Sequence, residues 1–182
     1  MKTQNQTMLS ENTLTSRPTD IIAGFPVRPG FFELNGATPL SNGVNFTTHT
    51  RHGTSCELLL FHSGEEEPFA VLPFPNACRI GDVYSMIVMG LDIEDLEYGY
   101  RIDGPYEPEK GHIFDKTKVL LDPYAKAVAG QRKWGQQKIG SYHARVVRDS
   151  FDWEDMPQST RKISDLIIYE LHVRGFTPVS YT

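Results

Sequence analysis

Cysteine is scarce in this 182-residue chain: Cys56 and Cys78 are the whole supply, and they show no CxxC spacing. That excludes a disulfide-stapled scaffold and the four-thiolate pattern of a zinc site, and the expected state is two reduced thiols. Basic charge is also short. The 18 Lys+Arg against 23 Asp+Glu leave a net charge of -5, and the basic residues are scattered. Nucleic acid, which needs a positive stripe along the surface, is therefore not an expected partner. Nothing in the chain approaches the ~20 apolar residues of a membrane-spanning helix, and residues 1–10 lack the apolar core of a secretory signal. No membrane partner is expected, and the expected location is the cytoplasm. The glycines, Gly99 and Gly104 among them, open no phosphate-cradling loop before a helix, so no cofactor is expected.

What the sequence does contain is ordinary in amount and specific in order. Hydrophobic residues are 39% and charged residues 23% of the chain, as in folded globular proteins. The length fits one domain, or one domain and part of another, at ~150 residues per domain. Residues 1–20, rich in Thr, Asn, Gln and Ser, read as a disordered tail. From Ile21 onward short apolar runs alternate with Gly, Pro and Asn. Asn42-Gly43 signals a tight turn, and Val44-Asn45-Phe46-Thr47-Thr48 after it alternates as a strand does. Leu58-Leu59-Leu60-Phe61 is continuously apolar, which suits a central strand. Glu65-Glu66-Glu67, between Gly64 and Pro68, is a solvated turn. Further strands are expected at 69–72, 83–89 and 98–102. The series predicts an all-β antiparallel sandwich over residues 21–108.

The rhythm changes after Gly104. Residues 109–163 read as an ordered excursion and connector with one short helix, capped by Asp122, carrying Pro123 at its first position and ending at Gly130. In the last segment, 164–182, the run Leu166-Ile167-Ile168-Tyr169-Glu170-Leu171-His172-Val173 is almost continuously β-prone. It reads as a strand covered on both faces, with Tyr169, Leu171 and Val173 on one side and Glu170, His172 and Arg174 on the other. A second domain is expected to begin here and to be cut off.

Several groups could carry chemistry. Glycoside hydrolysis needs two carboxylates, one of raised pKa, about 5–5.5 Å apart in retaining enzymes. Glu94 and Asp95, Glu107 and Glu109, and Asp152 with Glu154 and Asp155 are all available, but all sit among turn residues where carboxylates are solvated. Glu170 alone has apolar neighbours, and one carboxylate makes no dyad. His49, His52 and Cys56 match no zinc pattern, so no metal is expected. Ser55 and Ser85 lack a nucleophile-elbow context. Aromatics remain: Tyr84, Tyr98, Tyr100, Tyr106, Trp134 and Trp153 could stack on sugar rings or simply pack a core.

Three stretches in order resemble one family. Gly43-Val44-Asn45-Phe46 leading to Cys56-Glu57-Leu58-Leu59-Leu60-Phe61 is similar to the opening strands of isoamylase-type glycogen debranching enzymes. Tyr98-Gly99-Tyr100-Arg101-Ile102-Asp103-Gly104-Pro105-Tyr106, followed by Gly111-His112 and by Leu120-Leu121-Asp122-Pro123-Tyr124-Ala125-Lys126-Ala127, resembles the hallmark of that family. Phe151-Asp152-Trp153 and the run from Leu166 through Arg174, Gly175, Phe176 and Thr177 resemble its passage into a catalytic barrel. The resemblance covers roughly residues 25–177. It implies an immunoglobulin-like early-set sandwich, a carbohydrate-binding module of family 48, ahead of a glycoside hydrolase family 13 barrel that cleaves α-1,6 branch linkages in glycogen or related glucans.

By that resemblance, 166–173 matches the first strand of a (β/α)8 barrel, and no catalytic residue falls within this chain. The expected role is a non-catalytic sandwich that packs on its own barrel and shapes the cleft. The alternatives are a stand-alone α-glucan-binding module, or the N-terminal domain of a branching enzyme or trehalohydrolase. Related glycogen-binding modules use two tryptophans and a lysine. Here Tyr106 stands for one tryptophan, Gly99 for the lysine, and the turn after Phe61 supplies no second tryptophan. Lys116-Thr117-Lys118-Val119 replaces an Asn-Pro-containing turn. Tyr106, Trp134 and Trp153 are the expected glucan contacts, and any such binding is expected to be weak.

Overall fold

In the computed structural model the described residues are 17–130, 142–148, 152, 154 and 160–176. Contacts divide the chain into two units, one ending at Arg148 and one covering Asp149–Thr182. The first unit consists of two antiparallel sheets facing each other across one core. The first sheet runs β1(Asp20–Ile22), β2(Phe25–Pro29), β8(Val83–Met89), β4(Gly43–His49), β3(Gly36–Pro39), with β7(Arg79–Ile80) paired to β8. The second runs β12(Ala127–Ala129), β13(His143–Arg145), β9(Leu96–Asp103), β5(Ser55–His62), β6(Ala70–Pro73). A small ribbon pairs β10(Tyr106–Glu107) with β11(His112–Ile113).

The strand period of two sorts the side chains. Val44, Phe46, Met86 and Val88 from one sheet meet Leu58, Leu60, Leu72, Tyr98 and Tyr100 from the other, all at 1% exposure or less. Phe46 meets Tyr98 edge-on at 5.1 Å, and Phe74 bridges to Tyr84 and Tyr100. β5 lies between β9 and β6, and Leu58 to Phe61 are all buried, which is why its sequence does not alternate. In β4 the alternating polar residues are buried too. Asn45 and Thr47 lie beneath the β2–β3 loop, where the Asn45 amide takes the Phe31 backbone N–H at 2.8 Å and Thr47 Oγ1 lies 2.6 Å from Ser85 Oγ. Burial of these polar atoms is tolerated because each has a partner.

Three expectations need correction. The first strand begins at Asp20, inside what reads as tail. The sandwich continues past residue 108, since β12 and β13 extend the second sheet along the free edge of β9. The helix expected from Asp122 to Gly130 does not form: Asp122 Oδ1 accepts the Tyr124 N–H at 2.9 Å, and Ala127–Ala129 is a strand. Asp-Pro followed by a distant Gly is shared by helix starts and Asx turns, and tertiary pairing decided for the turn. The run 166–172 has no regular secondary structure and no ladder partner among the described residues, and a single helical turn, Val173–Phe176, follows it. Ile167 is 99% exposed and Tyr169 76%, and Glu170 is likewise exposed. A strand becomes regular only when neighbours take its backbone hydrogen bonds.

Candidate functional site

β9 carries the densest part of the hallmark sequence, and its inward side chains close one rim of the sandwich. Tyr98 crosses the core to donate from its hydroxyl to Asp122 Oδ2 at 2.7 Å. Asp122 is 2% exposed and holds the Tyr124 N–H with its other oxygen. Burial pushes the Asp122 carboxyl above its ordinary value, and the bonds from Tyr98 and Tyr124 pull part of the way back. The Tyr98 phenol is driven well upward by burial first and by Asp122 second. Next to this bond, Tyr100 and Leu120 exchange backbone hydrogen bonds at 2.9 and 2.7 Å. Among the described residues the buried Tyr100 hydroxyl has no hydrogen-bond partner, so its ring serves packing.

Two glycines of the hallmark allow close approach. A Cβ at Gly99 would lie 2.6 Å from Val119, and one at Gly104 would lie 2.7 Å from the Phe114 ring. Arg101 reaches Glu57 across the strand pair at 3.5 Å. Tyr98, Gly99, Tyr100, Gly104 and Asp122 therefore bind the excursion at 114–126 onto the sandwich. Their chemistry is structural.

These residues fall within one family match. A model of carbohydrate-binding module 48, described as the isoamylase N-terminal domain, matches residues 35–125. The chain belongs to this family. Among curated relatives, isoamylase SU1 of Zea mays is 34% identical over 169 residues, covering 86% of this chain and 20% of that protein. The glycogen debranching enzyme of Salmonella typhi is 36% identical over 156 residues, covering 79% of this chain and 23% of its own. The module thus spans about a fifth of the length of the relatives it matches. A pullulanase type I of Bacillus subtilis str. 168, solved with maltose, aligns at a TM-score of 0.52 and 21% identity over 80% of this chain and 17% of that one. That likeness concerns the fold.

Of the expected glucan contacts in the module, Tyr106 is 72% exposed and stands opposite Ile113 in the β10–β11 ribbon. Trp134 and Trp153 lie outside the described residues. Of the other hallmark positions, Pro105 is partly buried, while Pro123 and Tyr124 are exposed. His112, also partly buried, meets His52 edge-on at 4.6 Å. Tyr169, Glu170, His172 and Gly175 are exposed in the second unit, and Arg174 is placed only within its helical turn. His49 and Cys56 are not joined in a metal-binding group, and no such group occurs among the described residues. Cys56 and Cys78 are both free and buried. Burial raises the Cys56 thiol strongly and the Cys78 thiol to about 11, so neither is a thiolate at neutral pH.

Two polar pairs had no clear signal in the sequence. His143 Nδ1 and Glu97 Oε2 lie 3.1 Å apart at 6% and 3% side-chain exposure, and the His143 ring stacks on Phe61 at 3.8 Å. Glu97 also accepts from the Gly64 N–H at 2.9 Å. Beside it, at the same end of the β5–β9 pair, His62 Nδ1 lies 2.9 Å from Asp95 Oδ2, and Ser63 donates to both carboxylates. Strand alternation places Glu97 outward, but nothing in the sequence shows that β13 will cover it.

Proposed function

We propose that this module is the non-catalytic N-terminal sandwich of a longer debranching glycoside hydrolase that cleaves α-1,6-glucosidic linkages in glycogen or related glucans. It packs on the catalytic barrel of that enzyme and shapes its cleft. The observation that carries this is the match to an isoamylase and a glycogen debranching enzyme at 34% and 36% identity over most of this chain. The exposed apolar run at 166–171 supports its assignment as the first barrel strand, because in a barrel it would gain partners on both edges. Two free, buried thiols support a reducing compartment and hence the cytoplasm, although plant relatives are named chloroplastic.

A second role, direct glucan contact, is favoured by the exposed ring of Tyr106. One ring gives weak binding, since multivalent platforms gain most of their affinity from the second contact. The test of the main proposal is twofold. The purified chain should release no reducing sugar from glycogen or pullulan. The reading frame continued past Thr182 should supply a barrel whose debranching activity falls when the sandwich is deleted. Release by the chain alone, abolished by Glu170→Gln, would refute it.

A further inference from the structure

The rim between β2 and β6 carries an aromatic group of its own, and part of it faces solvent. Phe69 is 41% exposed; its ring stacks on the His62 imidazole at 4.4 Å and 30° and meets Phe25 at 6.2 Å. Asp95 holds the imidazole edge through Nδ1 at 2.9 Å and accepts the Ser63 backbone N–H at 3.1 Å. The His62 and Asp95 side chains nevertheless remain 60% and 55% exposed.

An exposed side chain ordinarily samples several rotamers, and fixing it on binding costs about 0.5–1.5 kcal/mol. His62 is already fixed, by a ring on one face and a carboxylate at its edge, so most of that cost is removed. An open imidazole face beside an accessible carboxylate is the chemistry of sugar recognition. The apolar C–H face of a pyranose stacks on the ring, and its equatorial hydroxyls donate to the carboxylate. Glu65 and Glu67 follow close in sequence and are exposed, which argues against an anionic ligand and favours a neutral one. Tyr106 lacks this preparation: among the described residues its side chain has neither a ring contact nor a hydrogen bond, only Ile113 across the ribbon.

We propose that His62, Phe69 and Asp95 form a stacking subsite for a pyranose unit of a neutral α-glucan chain, separate from Tyr106. The proposal rests on the carbohydrate-binding character of the family and not on the activity of any longer enzyme. The test is a titration of the 15N-labelled 182-residue chain with maltoheptaose through the millimolar range, followed by amide spectra. Shifts should centre on Ser63, Phe69 and Asp95. His62→Ala should weaken binding at least about fivefold and remove the shifts at Ser63 and Asp95, whereas Tyr106→Ala should remove only shifts in the Tyr106 ribbon. Phe69→Leu, which keeps an apolar side chain in the rim, should weaken binding likewise while the thermal midpoint stays close to the parent. Shifts confined to the Tyr106 ribbon and indifferent to His62→Ala would overturn the subsite and leave Tyr106 as the glucan contact. No shifts at any concentration would also overturn it, without touching the debranching assignment.

Discussion

On the rim beside β3, where the excursion crosses, a carboxylate and an aromatic hydroxyl meet in the interior; on the rim beside β2 and β6, a carboxylate and an aromatic stack meet in water. Tyr98 and Asp122 are at 0% and 2% exposure, whereas the His62 and Asp95 side chains are more than half exposed. Both contacts are short, 2.7 and 2.9 Å. Their consequences differ because an interior polar group that loses its partner keeps its desolvation cost, while an exposed one is rehydrated. The first contact is an anchor for the excursion at 114–126, and the second is a surface held ready.

The sharpest break of this comparison is at Asp122. Asp122→Ala leaves the Tyr98 hydroxyl buried without its acceptor and frees the Tyr124 N–H, and should cost about 2–4 kcal/mol in urea unfolding. Tyr98→Phe in the same background should recover part of the loss, since the orphaned donor is then gone. Asp95→Asn, whose partners are rehydrated, should cost far less. Equal losses at the two rims would erase the distinction.

A smaller effect is expected at Gly104→Ala, whose new methyl would meet the Phe114 ring at 2.7 Å. Overpacking of this kind costs about 1–3 kcal/mol. Phe114→Leu should relieve it if the close approach of the excursion to the end of β9 is the cause. Failure of that rescue would place the strain in the backbone instead.

The smallest effect is a difference in titration. Carbon-detected NMR should find the Asp122 carboxyl titrating above the ordinary value of 3.8 and Asp95 below it. For Asp122, burial raises the folded pKa, so its contribution is most favourable when protonated and is lost as pH rises through that folded value. For Asp95, the Ser63 N–H and His62 lower the folded pKa. Its contribution is present above the unfolded value and disappears as pH falls through the folded one. Acid stability curves of Asp122→Asn and Asp95→Asn should therefore deviate from the parent in opposite senses. Deviations of the same sign would mean that the two rims are electrostatically alike.

Much of the fold was legible in residue order. Asn42-Gly43, the alternation through Phe46 and the continuous run Leu58 to Phe61 are local signals, and β4 and β5 stand where they point. The hallmark at 98–106 and 120–127 was legible as a family pattern, but its purpose was not. Tyr98 and Asp122 are 24 positions apart, and only the crossing of the excursion over the rim brings them together. Phe69 opens an expected strand and His62 directly follows the apolar run Leu58–Phe61, but neither local signal marks their stacking with each other or their approach to Asp95.

By itself the sequence determined the strand pattern, the core-facing residues of the central strands and the family, because period, turn chemistry and a long ordered motif are all carried by neighbours along the chain. Only the tertiary structure decided which polar residues are interior. Asn45 and Glu97 both occupy alternating polar positions that read as solvent-facing. The β2–β3 loop covers one, and β13 with His143 covers the other. It also turned the Asp122 segment from a helix start into an anchor, because β13 offered Ala127–Ala129 a ladder of backbone hydrogen bonds. Burial and pairing between segments distant in sequence are long-range quantities, and local propensity does not encode them.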